Sequence, residues 1–127
     1  MGRLGGARTM FMSQGGDIAR TPEPPYYAVI FTSVRTDDLE GYGEAAARME
    51  ELAATMPGYL GFEAARDGLG VTVSYWADLD SVANWKREVE HLAAQGEGRR
   101  RWYARYATRI ARVERDYRFE RGDAPVP

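Results

Sequence analysis

Between Tyr26 and Tyr117 the spacing of apolar positions switches between strand and helix periods. Tyr26-Tyr-Ala-Val-Ile-Phe-Thr-Ser-Val34 is rich in β-branched and aromatic residues and apolar on both parities, which predicts a strand covered on both faces. Asp37 and Asp38 offer N-caps for a helix whose stripe runs through Leu39, Tyr42, Ala46, Met49, Ala53 and Met56. Pro57-Gly58 stops it. Tyr59 to Arg66 reads as a second strand with Leu60, Phe62 and Ala64 on one face, and Asp67-Gly-Leu-Gly70 as a hairpin turn. Val71 to Trp76 alternates, with Val71, Val73 and Tyr75 on one face and Thr72, Ser74 and Trp76 on the other. Asp78 or Asp80 caps a second helix carrying Val82, Trp85 and Val89 and running to Gln95, where Gly96 and Gly98 interrupt it.

The last segment carries two periods. Tyr106, Ile110, Val113 and Tyr117 fit a helical stripe. As a strand, the same stretch places Ala107, Ala111 and Val113 with Arg109 on one face, and Thr108 and Ile110 with Arg112 on the other. Topology favours the strand: it completes a ferredoxin-like β-α-β-β-α-β unit, an α+β fold with an antiparallel sheet. Two helices cover one face of such a sheet. The other face, apolar along the first strand, is expected to meet a second sheet, most simply in a homodimer. The predicted organisation is a flexible glycine- and proline-rich leader over 1–25, one domain over 26–118 and a frayed tail over 119–127.

Composition then removes whole classes of chemistry. The absence of cysteine excludes disulfides, thiolate nucleophiles and cysteine-held metal clusters. Glu88 and His91, at i and i+3, supply two ligands with no second cluster, so no metal is expected. Net charge is −2, and no apolar run approaches the roughly 20 residues of a membrane helix. Arg99-Arg-Arg101 beside Trp102 and Tyr103 superficially suggests RNA binding. The strands lack the Lys/Arg-Gly-aromatic pattern of RNA-recognition modules, and a solvated helix accounts for the cluster. A cytoplasmic protein without nucleic-acid or membrane partners is expected.

The run Pro57-Gly-Tyr-Leu-Gly-Phe-Glu-Ala-Ala-Arg66, followed by Val71-Thr-Val-Ser-Tyr-Trp76, Asn84-Trp-Lys86 and Glu90-His-Leu92, resembles the antibiotic biosynthesis monooxygenase domain family. The resemblance implies a dimeric α/β barrel with a pocket between helices and sheet. Some members of that family oxidise polycyclic phenols with molecular oxygen and no metal or flavin; others bind and degrade haem. The haem-degrading branch is marked by an asparagine on the first strand, then a tryptophan and a histidine in the second helical region. The first strand here has no asparagine, and Trp85 and His91 are closer together than in that branch, which points away from haem breakdown.

Candidate chemistry follows. His91, the one histidine, is the side chain that, unperturbed, titrates nearest neutrality and the candidate general base; the simpler reading is a helix residue that packs or hydrogen-bonds a loop. Arg66 and Asn84 are candidates to stabilise a developing oxyanion. Trp76, Trp85, Tyr75, Trp102 and Tyr103 form an aromatic set suited to a planar substrate, or to core packing. The expectation is a cofactor-independent monooxygenase acting on a phenolic or quinol-type small molecule. The alternative is a dimer of the same fold that binds a small molecule, or haem, without turnover.

Overall fold

A computed structural model describes residues 16–95 and 98–122, without the side chains of residues 90, 91, 93–95, 98 and 99. The order is β1 (Tyr26–Arg35), α1 (Tyr42–Thr55), β2 (Tyr59–Asp67), β3 (Leu69–Trp76), α2 (Leu79–Gln95), a single π-helical turn (Gly98–Trp102) and β4 (Tyr103–Val113). The strands form one antiparallel sheet in the order β2-β3-β1-β4, the ferredoxin-like α+β arrangement. The final segment is therefore a strand, laddered to β1 from Tyr26↔Val113 to Arg35↔Tyr103. Its helical stripe lost because β1 needs a partner on its second edge.

Register sorts every side chain. The rows Tyr59–Trp76–Tyr27–Arg112, Phe62–Ser74–Val29–Ile110, Ala64–Thr72–Phe31–Thr108 and Arg66–Gly70–Ser33–Tyr106 cross one face of the sheet. Both helices lie on this face. Ala53 of α1 and Val82 and Trp85 of α2 close on Trp76, with Met49, Leu52, Met56, Tyr27, Val29, Tyr59 and Val89 around them. A bulge between Tyr59 and Gly61 sets Tyr59, not Leu60, opposite Trp76. The other face carries Ile30, Thr32, Val34, Val71 and Val73, and Leu69 on it is 54% exposed.

Residues 1–15 of the expected leader lie outside the described residues. Two residues of its remainder, Ala19 and Thr21, are hydrogen-bonded to the domain. The Ala19 N–H donates to Glu63 Oε2 (2.8 Å), and Tyr75 Oη donates to Glu63 Oε1 (2.7 Å). Thr21 Oγ1 donates to Tyr26 Oη, which donates to Asp116 (2.6 Å), and Arg118 reaches both Ala19 O and Thr21. These partners come from strands and tail far along the chain, so composition alone could not reveal them.

Neither Asp37 nor Asp38 caps α1. The helix begins after Gly41, which lies in the left-handed region and provides no side-chain cap. Asp38 is taken by Arg101, whose Nε and Nη2 donate to its two oxygens at 3.0 Å each; the guanidinium holds the carboxyl below the usual carboxylate range. Asp78 does cap α2, accepting from both the N–H and the hydroxyl of Ser81 at 2.8 Å. Gly58, between α1 and β2, has φ +83°, and a Cβ there would lie 2.0 Å from Ser81 Oγ. Gly58→Ala should therefore cost about 2 kcal/mol, combining left-handed strain with displacement of the capped turn. Urea unfolding should show a lower midpoint at unchanged slope; an unchanged midpoint would refute this reading of the turn.

Candidate functional site

The helix-side face holds two aromatic clusters with different fates. At one end, Trp76 and Trp85 stack (centroids 5.5 Å, 25°), with Tyr59 edge-on to Trp76 (5.7 Å). Trp76 is wholly buried, and its indole N–H donates to Ser74 Oγ (2.8 Å). This is packed core, with its polar atom already satisfied.

The second cluster lies at the opposite end of the same face. Phe31 meets Tyr106 (5.1 Å) and Tyr103 (5.4 Å), Tyr103 meets Tyr106 (5.7 Å), and Tyr42 meets Tyr103 (5.9 Å) and Trp102 (5.8 Å). This end is open at its β4 edge, where Tyr106 is 42% exposed. Burial and a hydrogen bond to Tyr42 push the Tyr103 phenol well above its ordinary value, so it keeps its proton. Flat, apolar and rimmed by hydroxyls, this wall suits a planar aromatic ligand.

Arg66 reaches the same end. Its Nη2 donates to Ser33 Oγ (2.6 Å) and its Nη1 approaches Ser33 O and Gly68 O (3.4 Å each). The guanidinium crosses directly over Gly70, where a Cβ would lie 2.2 Å from Cζ. Gly70 thus has a role beyond the hairpin turn: it leaves β3 low enough for an arginine on β2 to reach a serine on β1. The positive charge is felt at Tyr103.

The β1–α1 loop and the π turn close this end together. Thr36 N donates to Trp102 O (2.8 Å), and Thr36 Oγ1 donates to Arg101 O. Arg101 holds Asp38 and approaches Glu40 (3.6 Å), and Trp102 Nε1 donates to Glu40 O (2.8 Å). The arginine cluster is accordingly a five-residue π turn pinned to a loop, where a solvated helix was expected.

The sequence-derived candidates separate as follows. Arg66, Trp102 and Tyr103 come together. Trp76 and Trp85 belong to the core at the other end, and Tyr75 points to the opposite face, bonded to Glu63. Asn84 accepts from Arg87 and, with Met56, Arg87 and Glu88, lines a surface depression of ≈ 290 Å³. His91 falls within α2, and its side chain lies outside the described residues. Phe31, Ser33, Tyr42 and Tyr106 were missed. Once β4 is paired with β1, the parity shared by Tyr106 and Ile110 would have found them. Among the described residues no group of three or more His, Asp or Glu side chains is placed to hold a metal ion, and no helix is long and apolar enough to cross a membrane.

One further titratable group stands out on α1. Glu50 Oε2 is buried without a hydrogen-bond partner among the described residues, and burial pushes its carboxyl above the ordinary 4.5. Its charge in turn adds to the burial that raises the Tyr59 phenol. A carboxyl with a raised folded-state pKa favours folding below its unfolded pKa, and that contribution is lost as pH rises through the folded value. Glu50→Gln should match the parent in thermal stability near pH 4 and exceed it at pH 7 to 8. An equal melting temperature for the two proteins across that range would contradict the assigned burial.

Comparison with known proteins agrees with this architecture. A family model for antibiotic biosynthesis monooxygenases matches residues 25–97. The uncharacterized protein YqjZ of Bacillus subtilis is 51% identical over 105 residues, spanning 81% of this chain and 92% of that protein. Among solved structures, a Nitrosomonas europaea protein provisionally named an antibiotic biosynthesis monooxygenase aligns with TM-score 0.57 at 20% identity, covering 72% of this chain and 92% of that one. PA3566 from Pseudomonas aeruginosa aligns with TM-score 0.57 at 14% identity, covering 76% and 99%. At those identities the structural matches establish the fold alone. The family model, matched over more than half of the chain, places this protein in the antibiotic biosynthesis monooxygenase family.

Proposed function

We propose that the protein is a cofactor-independent monooxygenase for an electron-rich phenolic or quinol-type small molecule. The observation that carries this reading is the open wall of Phe31, Tyr103 and Tyr106 beside the Arg66 guanidinium. Apolar rings bind and orient a planar substrate, and the cation stabilises the anion formed when it loses a proton. His91 is the proposed proton acceptor, as the residue that titrates nearest neutrality.

The chemistry balances without an external reductant. The carbanion-like anion of an anthrone passes one electron to oxygen. The resulting radical and superoxide combine to form a carbon–oxygen bond, giving a hydroperoxide after protonation. Loss of water leaves the carbonyl. One oxygen atom stays in the product, the other leaves as water, and both hydrogens of that water originate on the oxidised carbon. The protein contributes orientation and charge stabilisation.

Oxygen consumption with a panel of anthrones and hydroquinones tests this. Protein-dependent uptake above the spontaneous rate is expected, with Arg66→Gln lowering kcat about a hundredfold. Gly70→Ala should act in the same direction with little loss of stability, because its Cβ displaces only the end of a flexible side chain. His91→Phe should abolish the enzyme-dependent rate. Folded parent protein with no uptake above background would defeat the oxygenase reading and favour binding without turnover.

A further inference from the structure

The two outer strands of the sheet carry opposite charges at matching positions. β2 and β4 are the edges, and among the described residues no strand pairs with the outer side of either. On the face away from the helices, three rows cross the sheet from edge to edge: Glu63–Val73–Ile30–Arg109, Ala65–Val71–Thr32–Ala107 and Asp67–Leu69–Val34–Arg105. Two carboxylates, four residues apart, therefore stand on the β2 edge. Two guanidinium groups, with the same spacing and in the same rows, stand on the β4 edge. Neither Arg105 nor Arg109 forms an ion pair among the described residues. β4 is exposed at every position from Ala104 to Arg112, on both faces, and Ile110 and Tyr106 lie among them. A long, open edge of this kind is a template for another strand.

We propose that β4 pairs antiparallel with β2 of a second copy of this chain, setting Arg109 opposite Glu63 of the partner subunit and Arg105 opposite Asp67 of the partner subunit, and giving the exposed edge of the aromatic wall a neighbouring strand. One antiparallel register satisfies both pairs. Within the sheet β2 already runs antiparallel to β4, so a second sheet continues the first with its helices on the same side. That register sets Ala107 opposite the partner's Ala65 and, on the helix side, Tyr106 opposite the partner's Arg66. The Glu63 carboxylate is held in place by the Ala19 N–H and the Tyr75 hydroxyl, and has lone pairs left for a guanidinium. A second β4 is the wrong occupant, because β4 contains no acidic residue to meet its arginines. Each copy offers one β2 edge and one β4 edge, so two copies related by a two-fold axis use all four. Two four-stranded sheets then close into eight strands, a number whose interior is filled by side chains. Ile30, Val34, Val71, Val73 and the exposed Leu69 go inside, whereas an open row of sheets would leave them in water. Completion of the wall rests on its reading as a ligand site; the strand pairing does not.

The chain has no cysteine, so introduced thiols report the register without background. Ala65→Cys and Ala107→Cys, mixed and oxidised with diamide, should give a covalent dimer holding one chain of each, since directly opposed strand residues lie within disulfide reach. Either variant alone should stay uncrosslinked on a non-reducing gel. Sedimentation equilibrium tests the charges. Arg105→Asp and Asp67→Arg should each weaken the dimer about tenfold or more. Their equimolar mixture should recover the parent's affinity, because both joints of the mixed dimer again set opposite charges together. If Asp67→Arg fails to fold, Arg109→Glu, at an exposed position of β4, should weaken the dimer in the same way. A monomeric parent, no crosslink in the thiol mixture, a crosslink in Ala107→Cys alone, a dimer indifferent to Arg109→Glu, or a charge-reversed mixture no tighter than its components would overturn the pairing. Oxygen uptake enters none of these readouts. A crosslinked dimer without uptake would keep the pairing and remove the oxygenase; uptake by a monomeric parent would do the reverse.

Discussion

The two ladders of β1 are the constraint on which the rest depends. Paired with β3 on one edge and β4 on the other, β1 fixes which residue of each strand stands beside which. Those rows place Trp76 beside Tyr27 at one end of the helix-side face and Ser33 beside Tyr106 at the other. A slip of one residue in β4 would turn Tyr106 and Ile110 to the opposite face and dismantle the wall.

The two ends then divide the work of stability and function. Trp76, Trp85, Ala53 and Val82 are buried together, and a buried aromatic of this kind contributes on the order of 3 kcal/mol. The other end leaves aromatic surface exposed and gathers guanidinium groups beside it, an arrangement that costs packing and suits a ligand. Arg66 shows how closely the two are linked. Its path across Gly70 to Ser33 is possible only because the hairpin carries a glycine there, so a backbone detail of β3 positions a charge delivered from β2.

Most of the fold was legible in the sequence because its signals were periodic. The alternation of Val71 to Trp76, the strand parity of Ala107 to Val113 and the cap at Asp78 are local patterns, and the structure keeps them. Asp38 misled because a capping aspartate and one paired with an arginine 63 residues away are indistinguishable locally. The candidate site was less legible for the same reason. Arg66, Trp102 and Tyr103 were visible by residue type, but Tyr75 and Trp76, adjacent in sequence, point to opposite faces of one strand. Trp76 and Trp85 read equally well as ligand wall or core until register turned Trp76 to the helix side, where Trp85 of α2 stacks on it. Tyr42 looked like one more apolar residue in a helical stripe. Its place in the aromatic cluster depends on Tyr103, whose ring the fold brings to it from 61 positions along the chain.

The central claim is that aromatic ligands settle at the Phe31 end of the helix-side face. Titrating naphthol into protein with carbon-labelled aromatic rings, and following each ring by nuclear magnetic resonance, tests it most directly. The account predicts shifts concentrated on Phe31, Tyr42, Tyr103 and Tyr106, with the rings of Trp76, Trp85 and Tyr75 left in place. Shifts centred on the Trp76–Trp85 stack, or on Tyr75 across the sheet, would contradict it.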